Sequence, residues 1–333
     1  MSKFKIAIVG ATGAVGQELI KVLEARNVPI SELRPLASAR SAGTMVTFNG
    51  EPIEVLELTP DSFEGIDYAL FSAGGSISKE FCPHAVKAGA VCIDNTSHYR
   101  MDPEVPLVVP EVNPEAAKRH KGIIANPNCS TAQMVVALKP IYDAVGIERL
   151  VISTYQAVSG AGSDAMHELE EQSRSLLTGG ELKPKVFPHP IAFNAIPQID
   201  VFLDNGYTKE EIKMVTETQK IMEDDRIQVT ATCVRIPVFI GHSEAINITT
   251  REKISADNVR ELMVAAPGVD LRDNPAKSEY PLARDYSGKD DVGIGRIRED
   301  ISQANGIEMW CVGDNLRKGA ALNAVQILEL FVL

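Results

Sequence analysis

The chain has 333 residues, a length that predicts two domains because single hydrophobic cores stop growing before this size. Hydrophobic residues make up 44% and charged residues 23%, as in ordinary globular proteins, and the net charge of -12 argues against a nucleic-acid partner. No apolar run approaches the roughly 18 residues of a membrane span, and no signal-peptide pattern follows Met1, so no membrane association is expected. Five cysteines without a CxxC pair predict a cytoplasmic location.

The first motif is a strand, a glycine loop and a helix. The apolar run Lys5–Val9 predicts a buried parallel strand, and helical periodicity follows from Gln17 to Ala25. Between them, glycines stand at positions 10, 13 and 16, a GxxGxxG pattern. Backbone N–H groups at such a helix start bind a pyrophosphate, which favours a dinucleotide site over a glycine-rich turn without a ligand.

The end of the second predicted strand, residues 33–37, bears on the choice of cofactor. An NAD site normally places an acidic residue there for the ribose 2′-hydroxyl, but this chain has Ser38-Ala39-Arg40-Ser41. A guanidinium with two hydroxyls suits a 2′-phosphate, which favours NADP. The alternative is a solvated loop with an incidental arginine.

Alternating strands and helices continue to about residue 125 and predict a doubly wound, Rossmann-type domain. A strand at 68–71 leads into Ser72-Ala73-Gly74-Gly75, which is small enough to lie beside a cofactor. The other predicted elements are a helix at 77–88, a strand at 90–93 with a polar end at 94–100, a strand at 107–109 and a short helix at 113–119.

Cys129 is the candidate nucleophile. The strand 122–125 stops at Asn126-Pro127, and an apolar run follows from 132 to 138. Asn128 has N-cap chemistry, so Cys129 is expected at a helix N-terminus, where the helix dipole favours the thiolate. The alternative is a small buried thiol, which is how we interpret the other cysteines, at positions 82, 92, 233 and 311.

After this helix, strand follows strand, which predicts an α+β domain with a mixed, largely antiparallel sheet. The expected strands span 150–157, 228–236, 245–250 and 306–312, and the expected helices 164–177, a segment around Glu210, 257–265 and 316–333. We expect the last helix to return to the first domain. The predicted domains are therefore 1–127 completed by 316–333 for the nucleotide, and 128–315 for catalysis and dimerisation.

Several polar residues of the second domain are candidates for the chemistry. His242 follows a predicted strand at 234–240, and Arg235 lies seven residues earlier on that strand, facing a polar cleft or a salt bridge on the sheet surface. Glu210 and Lys213, three residues apart, share one helix face. They belong either to the functional site or to a solvent-exposed ion pair on the helix surface. The histidines show no metal-ligand spacing, so no metal is expected. A thiolate beside a nicotinamide can form a hemithioacetal or a thioester, and hydride passes between that carbon and the cofactor, with a histidine moving the proton.

The chain resembles the aspartate-β-semialdehyde dehydrogenase family over essentially its whole length. The resemblance is carried by five motifs in order, at residues 10–16, 126–131, 159–162, 235–242 and 313–319. It implies NADPH-dependent reductive dephosphorylation of L-aspartyl 4-phosphate to L-aspartate 4-semialdehyde, a step toward lysine, threonine and methionine. It also implies a homodimer, sometimes a dimer of dimers, formed through the second domain.

The same resemblance implies a role for each matching residue. Cys129 would form the thioester, His242 would be the acid/base and Gln156 would orient the thioester. Arg235 would bind the substrate carboxylate and Glu210 its ammonium, with Glu211 left open as a substitute. Arg100, Asn128 and Lys213 would bind phosphate, including inorganic phosphate. The implied cofactor contacts are Gly10, Thr12, Gly13, Ala14, Val15, Gly16, Ser38, Arg40, Ser41, Ala73, Gly74, Ser159, Gly160 and Asn315.

Three alternatives remain at this stage. N-acetyl-glutamyl-phosphate reductase performs the same chemistry on an acetylated substrate, which an amine-binding Glu210 would not suit. A glyceraldehyde-phosphate dehydrogenase would favour NAD. A non-catalytic NADP-binding or redox-sensing protein would not need His242 or Arg235.

Overall fold

The structure, a computed structural model, describes residues 3–333. Its strands are β1 Phe4–Val9, β2 Ile30–Ala37, β3 Met45–Phe48, β4 Glu51–Glu54, β5 Leu56–Glu57, β6 Tyr68–Phe71, β7 Val91–Asp94, β8 Ile123–Ala125, β9 Ile147–Gln156, β10 Gln228–Arg235, β11 His242–Thr250, β12 Val269–Leu271, β13 Val292–Glu299 and β14 Gly306–Gly313. Its α-helices are α1 Ala14–Ala25, α2 Gly75–Lys87, α3 Cys129–Val145, α4 Ser163–Leu177, α5 Lys209–Met222, α6 Ala256–Ala265, α7 Ala283–Tyr286 and α8 Leu322–Val332. The chain divides into two compact units, residues up to Asn128 with Ala320–Leu333, and Cys129–Gly319.

The first unit contains a parallel sheet with strand order β5-β2-β1-β6-β7-β8. The residues of β1 alternate between two cores: Ile6 and Ile8 pack with residues of α1 and α8, and Ala7 and Val9 pack with residues of α2. A strand buried on both faces needs apolar residues at every position, which explains the continuous apolar run. The predicted Rossmann-type fold is confirmed.

The strand order of this sheet changes direction between β1 and β6, so the chain leaves these two neighbouring strands toward opposite sides. In open α/β sheets, ligands bind in the crevice at the carboxyl ends of such strands. The Gly10 loop follows β1, and Ser72-Ala73-Gly74 follows β6. The two small-residue loops picked out in the sequence therefore lie at the expected ligand-binding edge.

The second unit is built on a mixed sheet with strand order β10-β9-β11-β14-β13-β12. The pairs β9–β10 and β12–β13 are parallel, whereas β11 is antiparallel to β9 and β14. Helix α3 packs against β9, β11, β13 and β14, and α5 packs against β10. The predicted α+β domain with a mixed, largely antiparallel sheet is confirmed.

Some local predictions were wrong. Residues 107–109 form a single bridge, Leu107 with Ala125, instead of a strand. Strand β13 was not predicted, because two glycines interrupt its apolar pattern; at one of them, Gly293, a Cβ would lie 2.2 Å from the Tyr286 ring. The last helix does not begin regularly at 316: a π-helical turn, Arg317–Ala321, precedes α8.

Candidate active site

Strand register brings three predicted site residues together at one end of the second sheet. Gln156 and Arg235 are the last residues of the parallel strands β9 and β10 and lie directly opposite each other. His242 is the first residue of β11, which runs antiparallel to β9. The strand that carries Arg235 was expected to continue to residue 240, just before His242, and this was wrong: β10 ends at Arg235, and residues 236–241 form a turn back into β11.

Cys129 and His242 are in direct contact. Cys129 is the first residue of α3, as predicted, and its Sγ lies 3.2 Å from His242 Nε2. The Ala157 backbone N–H donates to His242 Nδ1 at 3.0 Å, so Nδ1 is an acceptor, and neutral His242 carries its proton on Nε2, facing the sulfur. Burial and the nearby Arg235 cation lower the pKa of His242 to about 3, so the ligand-free imidazole is neutral at pH 7.

Gln156 and Glu210 adjoin this pair. Gln156 Nε2 donates to Glu210 Oε1 at 3.0 Å and lies 3.5 Å from His242 Nε2, while Thr154 donates to Gln156 Oε1 at 2.9 Å. Lys213 lies 3.0 Å from Glu210 Oε2 and also bonds Asp200. Burial lowers the pKa of Lys213, but the two carboxylates outweigh it and raise the pKa, so the ammonium stays charged.

Arg235 is a buried cation beside the thiol. It is 6% exposed, its Nη1 donates to the Ala157 carbonyl at 2.7 Å, and its guanidinium lies over the Phe187 ring. Burial lowers its pKa and Glu210 and Cys129 raise it, yet a guanidinium remains charged in proteins. A Cβ at Gly160 would lie 3.1 Å from Arg235 Nη1 and 3.4 Å from His242 Nε2. Gly160 therefore leaves the space in front of both side chains open.

Glu210 and Glu211 have different contacts in the structure, whereas the sequence left open which of them faces the site. Glu211 accepts from the Thr208 and Cys233 backbone N–H groups, and its own N–H donates to the Thr208 hydroxyl. This is a capping box that also ties α5 to β10. Both carboxylate oxygens of Glu211 are thus used structurally, and Glu210 is the one beside Gln156.

Ser159 and Asn315 form a pair in the second unit. Asn315 Nδ2 donates to Ser159 Oγ at 2.9 Å, and Asn315 Oδ1 accepts from the Gly241 backbone N–H at 2.9 Å. Both side chains are 2% exposed. The pair therefore fixes the turn that enters β11 immediately before His242.

The glycine loop of the first unit has the geometry of a phosphate-binding turn. Gly10 has φ +90°, and a Cβ there would lie 3.1 Å from Ala73. A Cβ at Gly16 would lie 2.1 Å from the Gly10 carbonyl oxygen, so the loop closes tightly on the start of α1. Thr12 and Gly13 are exposed on this loop, with Ala14 and Val15 in the first turn of α1 and Gly74 beside Ala73. The backbone thus forms a cradle that suits a pyrophosphate.

The other predicted residues of this unit fall into two places. Ser38 and Arg40 are exposed and Ser41 half-buried, in the turn after β2. Arg100 is 7% exposed, and it donates to the Asn126 carbonyl at 2.8 Å and to the Asn95 carbonyl at 2.9 Å. Asn128 closes this unit and is covalently followed by Cys129. Arg100 is therefore held against the segment that leads to the thiol.

Two features are absent from residues 3–333. These residues contain no group of three or more His, Cys, Asp or Glu side chains placed to hold a metal ion. Within the same residues, no helix has the length and apolar character needed to cross a membrane.

The sequence interpretation missed three contributors to this site. Gln133 and Glu244 form a buried pair next to His242, and a Cβ at Gly319 would lie 2.7 Å from Cys129 Cβ. Glu244 could have been found, because it shares the buried phase of β11 with Ile246 and Ile248, where a carboxylate is unexpected. Gly319 lies in the π-helical turn, which local propensity does not predict.

Comparison with known proteins places the chain in a class. Residues 5–120 match the family model of the semialdehyde dehydrogenase NAD binding domain, and residues 138–318 match the semialdehyde dehydrogenase dimerisation domain. The two matched segments fall within the two compact units. The chain therefore belongs to the semialdehyde dehydrogenase class and has the two domains of that class.

Full-length relatives define the family more narrowly. Aspartate-semialdehyde dehydrogenase of Aquifex aeolicus is 59% identical over 99% of this chain and 98% of its own length, and that of Bacillus subtilis is 54% identical over 97% and 96%. The crystal structure of aspartate semialdehyde dehydrogenase II from Vibrio cholerae, complexed with ASA, has a TM-score of 0.96 at 52% identity, covering 100% of this chain and 99% of that one. The chain belongs to the aspartate-semialdehyde dehydrogenase family, which confirms the resemblance seen in its motifs.

Proposed function

We propose that the chain catalyses the NADPH-dependent reductive dephosphorylation of L-aspartyl 4-phosphate to L-aspartate 4-semialdehyde, in the biosynthesis of lysine, threonine and methionine. The observation that carries this proposal is the contact of Cys129 at the start of α3 with neutral His242, beside the buried cation Arg235. Family membership supplies the substrate class.

The proposed mechanism starts from the Cys129 thiolate. Its Sγ attacks the acyl carbon, the S–C bond forms, and the bond to the phosphate oxygen breaks and releases inorganic phosphate. Bound NADPH would supply hydride to the thioester carbon. The oxyanion that develops lies near the Nε2–H of His242 and the Gln156 amide, which can donate to it. Collapse of this hemithioacetal oxyanion forms the aldehyde C=O, breaks the C–S bond and returns the thiolate, while His242, as the acid/base, shares its Nε2 proton with the oxygen and recovers it on collapse.

Substrate binding would use the charges around the thiol. Arg235 presents a fork that suits the α-carboxylate, and Glu210 offers a carboxylate to the ammonium group. Lys213 is a proposed phosphate contact of the second unit, and Arg100 and Asn128 are proposed phosphate contacts of the first. An acetylated substrate has no ammonium group, so Glu210 favours a free amino acid over the substrate of N-acetyl-glutamyl-phosphate reductase.

Glu210→Gln and Glu211→Gln make a matched pair that tests this assignment. We expect Glu210→Gln to raise KM for aspartate semialdehyde by roughly 10–100-fold, because a charge-assisted bond to the substrate amine is lost. We expect Glu211→Gln to leave KM nearly unchanged but to lower the free energy of unfolding by about 1 kcal/mol, because it weakens the cap of α5. Steady-state kinetics and urea unfolding measure both. The reverse pattern would assign the amine to Glu211.

NADP is the proposed cofactor. Arg40 with Ser38 and Ser41 follows β2, where the adenosine ribose lies in dinucleotide folds. The cradle formed by Gly10 and Gly16 fits the pyrophosphate. A Candida albicans aspartate semialdehyde dehydrogenase described as crystallised with NADP has a TM-score of 0.76 at 27% identity, covering 99% of this chain and 98% of that one. Ala73, Ser159, Gly160 and Asn315 complete the proposed contacts.

Arg40→Ala is expected to raise KM for NADP by about tenfold or more and to leave KM for NAD nearly unchanged, because only the 2′-phosphate needs the guanidinium. Initial rates with each nucleotide measure the effect, and NAD serves as the internal control. Equal changes for both nucleotides would show that Arg40 does not recognise the 2′-phosphate.

We also propose a homodimer, or a dimer of dimers, in a cytoplasmic setting. The second unit matches a dimerisation domain, and Tyr155 and Trp310 lie half-exposed on its sheet with ring centroids 5.5 Å apart and ring planes tilted by 44°. A reducing compartment suits catalysis that needs Cys129 as a free thiol.

The function is tested by phosphate-dependent reduction of NADP with aspartate semialdehyde as substrate. The proposal expects activity that requires inorganic phosphate and is lost when glyceraldehyde 3-phosphate or N-acetyl-glutamate semialdehyde replaces the substrate. Absence of activity with aspartate semialdehyde, or a preference for either replacement, would overturn it.

A further inference from the structure

A second pair of side chains lies directly behind Cys129 and His242. Gln133 is four residues after Cys129 on α3, and Glu244 is two residues after His242 on β11, so each shares a face with the site residue before it. Gln133 Nε2 donates to Glu244 Oε1 at 2.9 Å and lies 3.4 Å from the His242 carbonyl oxygen. Both side chains are 0% exposed.

Each member of this pair has one buried oxygen that no hydrogen bond reaches. Within residues 3–333, Gln133 Oε1 and Glu244 Oε2 are buried acceptors without a partner. An ionised carboxylate can only accept hydrogen bonds, so ionised Glu244 would leave its own Oε2 and Gln133 Oε1 without a donor. Leaving buried polar atoms unsatisfied in this way has a large free-energy cost inside a protein. A proton on Glu244 Oε2 changes this, because the resulting O–H can donate to Gln133 Oε1.

Among residues 3–333, no cation contributes to the pKa of Glu244, so the Gln133 hydrogen bond is the one contribution that favours an anion there. Cys311 on β14 and Thr154 on β9 lie directly opposite it, and the thiol of Cys233 on β10 also interacts with it electrostatically. His242, on the same strand, is neutral because burial lowers its pKa. Burial raises the pKa of Glu244 well above its ordinary value, and the Gln133 bond only partly opposes this.

We propose that Glu244 is held as a neutral carboxylic acid in a closed, doubly hydrogen-bonded pair with Gln133, and that this pair is a positioning device for the Cys129–His242 contact. The pair joins the helix that carries the nucleophile to the strand that carries the histidine, one helical turn from the sulfur. Gly313, opposite His242 on β14, leaves room for the Gln133 amide, because a Cβ at position 313 would lie 2.7 Å from Gln133 Oε1. The positioning role rests on the proposed function; the protonation state does not.

Substitutions of Glu244 test the positioning role. Glutamine reproduces the donor and acceptor of a protonated acid, so Glu244→Gln is expected to keep kcat within about threefold of wild type. Glu244→Ala removes the link, so kcat is expected to fall by roughly 10–100-fold with little change in KM. Exposed Glu252→Gln is the matched control. A glutamine variant as impaired as the alanine variant, or an alanine variant with wild-type kcat, would overturn the role.

Two measurements without substrate test the protonation state, so they remain decisive if the enzyme assay fails or Glu244→Ala does not fold. A carboxyl protonated when folded but ionised when unfolded makes stability fall as pH rises between the unfolded and folded pKa values. From pH 6.5 to 8, below the ordinary pKa of the Cys233 and Cys311 thiols, the unfolding constant of wild type should rise with pH, by up to about tenfold per pH unit, relative to Glu244→Gln at equal protein concentration. Infrared spectra should show a protonated-carboxyl C=O stretch that Glu244→Gln lacks and Glu252→Gln keeps. Parallel pH profiles, or no such band, would refute a neutral Glu244.

Discussion

Cys129→Ala is expected to lower kcat for phosphate-dependent NADP reduction by about 10⁴-fold or more, because the proposed thioester needs the Cys129 thiol. The other cysteines in residues 3–333 are buried, and Cys129 alone among them is partly exposed. Its contact with His242 at 3.2 Å and its place at the start of α3 single it out further. Steady-state kinetics measure the loss, and NADP binding should be retained.

The matched control for this variant is Cys92→Ala, which removes a buried thiol of the first unit whose Sγ lies 3.6 Å from the Cys82 carbonyl oxygen. We expect it to lower stability modestly through a small cavity but to keep kcat near wild type. If Cys129→Ala retained full activity, the thioester mechanism would be wrong even though the enzyme assignment could stand.

His242→Asn is expected to lower kcat by roughly 10²–10⁴-fold while the Kd for NADP stays nearly unchanged, because proton transfer and not cofactor binding is lost. The exposed histidine of α4 provides the control, His167→Asn, which should behave as wild type. Equal losses of turnover and NADP affinity in His242→Asn would show that His242 is structural.

His242 should also leave a signature in the acid stability of the protein. Its folded pKa of about 3 lies below the unfolded value near 6.5, so the unfolded chain binds the extra proton first. The stability that neutral His242 contributes is therefore present above pH 6.5 and is lost as pH falls toward 3. We expect wild type to lose stability over this window more steeply than His242→Asn in urea unfolding at matched pH values. Equal slopes would mean that His242 titrates normally in the folded state.

Patterns among neighbouring residues predicted the fold and the position of Cys129 at the start of a helix. The continuous apolar run before Gly10 fits β1 because both faces of that strand are buried. Asn128 followed by an apolar run predicted that a helix begins at Cys129, which the structure confirms. Both features depend on residues that are adjacent in the chain, so a single sequence is enough to predict them.

Features that depend on distant contacts could not be predicted in this way. The proton position on His242 is set by the Ala157 backbone N–H, and the role of Glu211 is set by its bond to Cys233 in another element. The separation of Arg235 and His242 onto two strands depends on a turn whose Gly241 packs against Ala283, where a Cβ would lie 2.7 Å from the carbonyl oxygen. Tertiary packing decides these features, and residue spacing alone carries no signal for them.

The covalent intermediate is the central claim, and mass spectrometry of the protein incubated with L-aspartyl 4-phosphate in the absence of NADPH tests it most directly. The mechanism predicts one aspartyl group per chain, bound as a thioester on the peptide that contains Cys129, released by hydroxylamine and absent from Cys129→Ala. An unmodified protein, or an aspartyl group attached to any other residue, would contradict it.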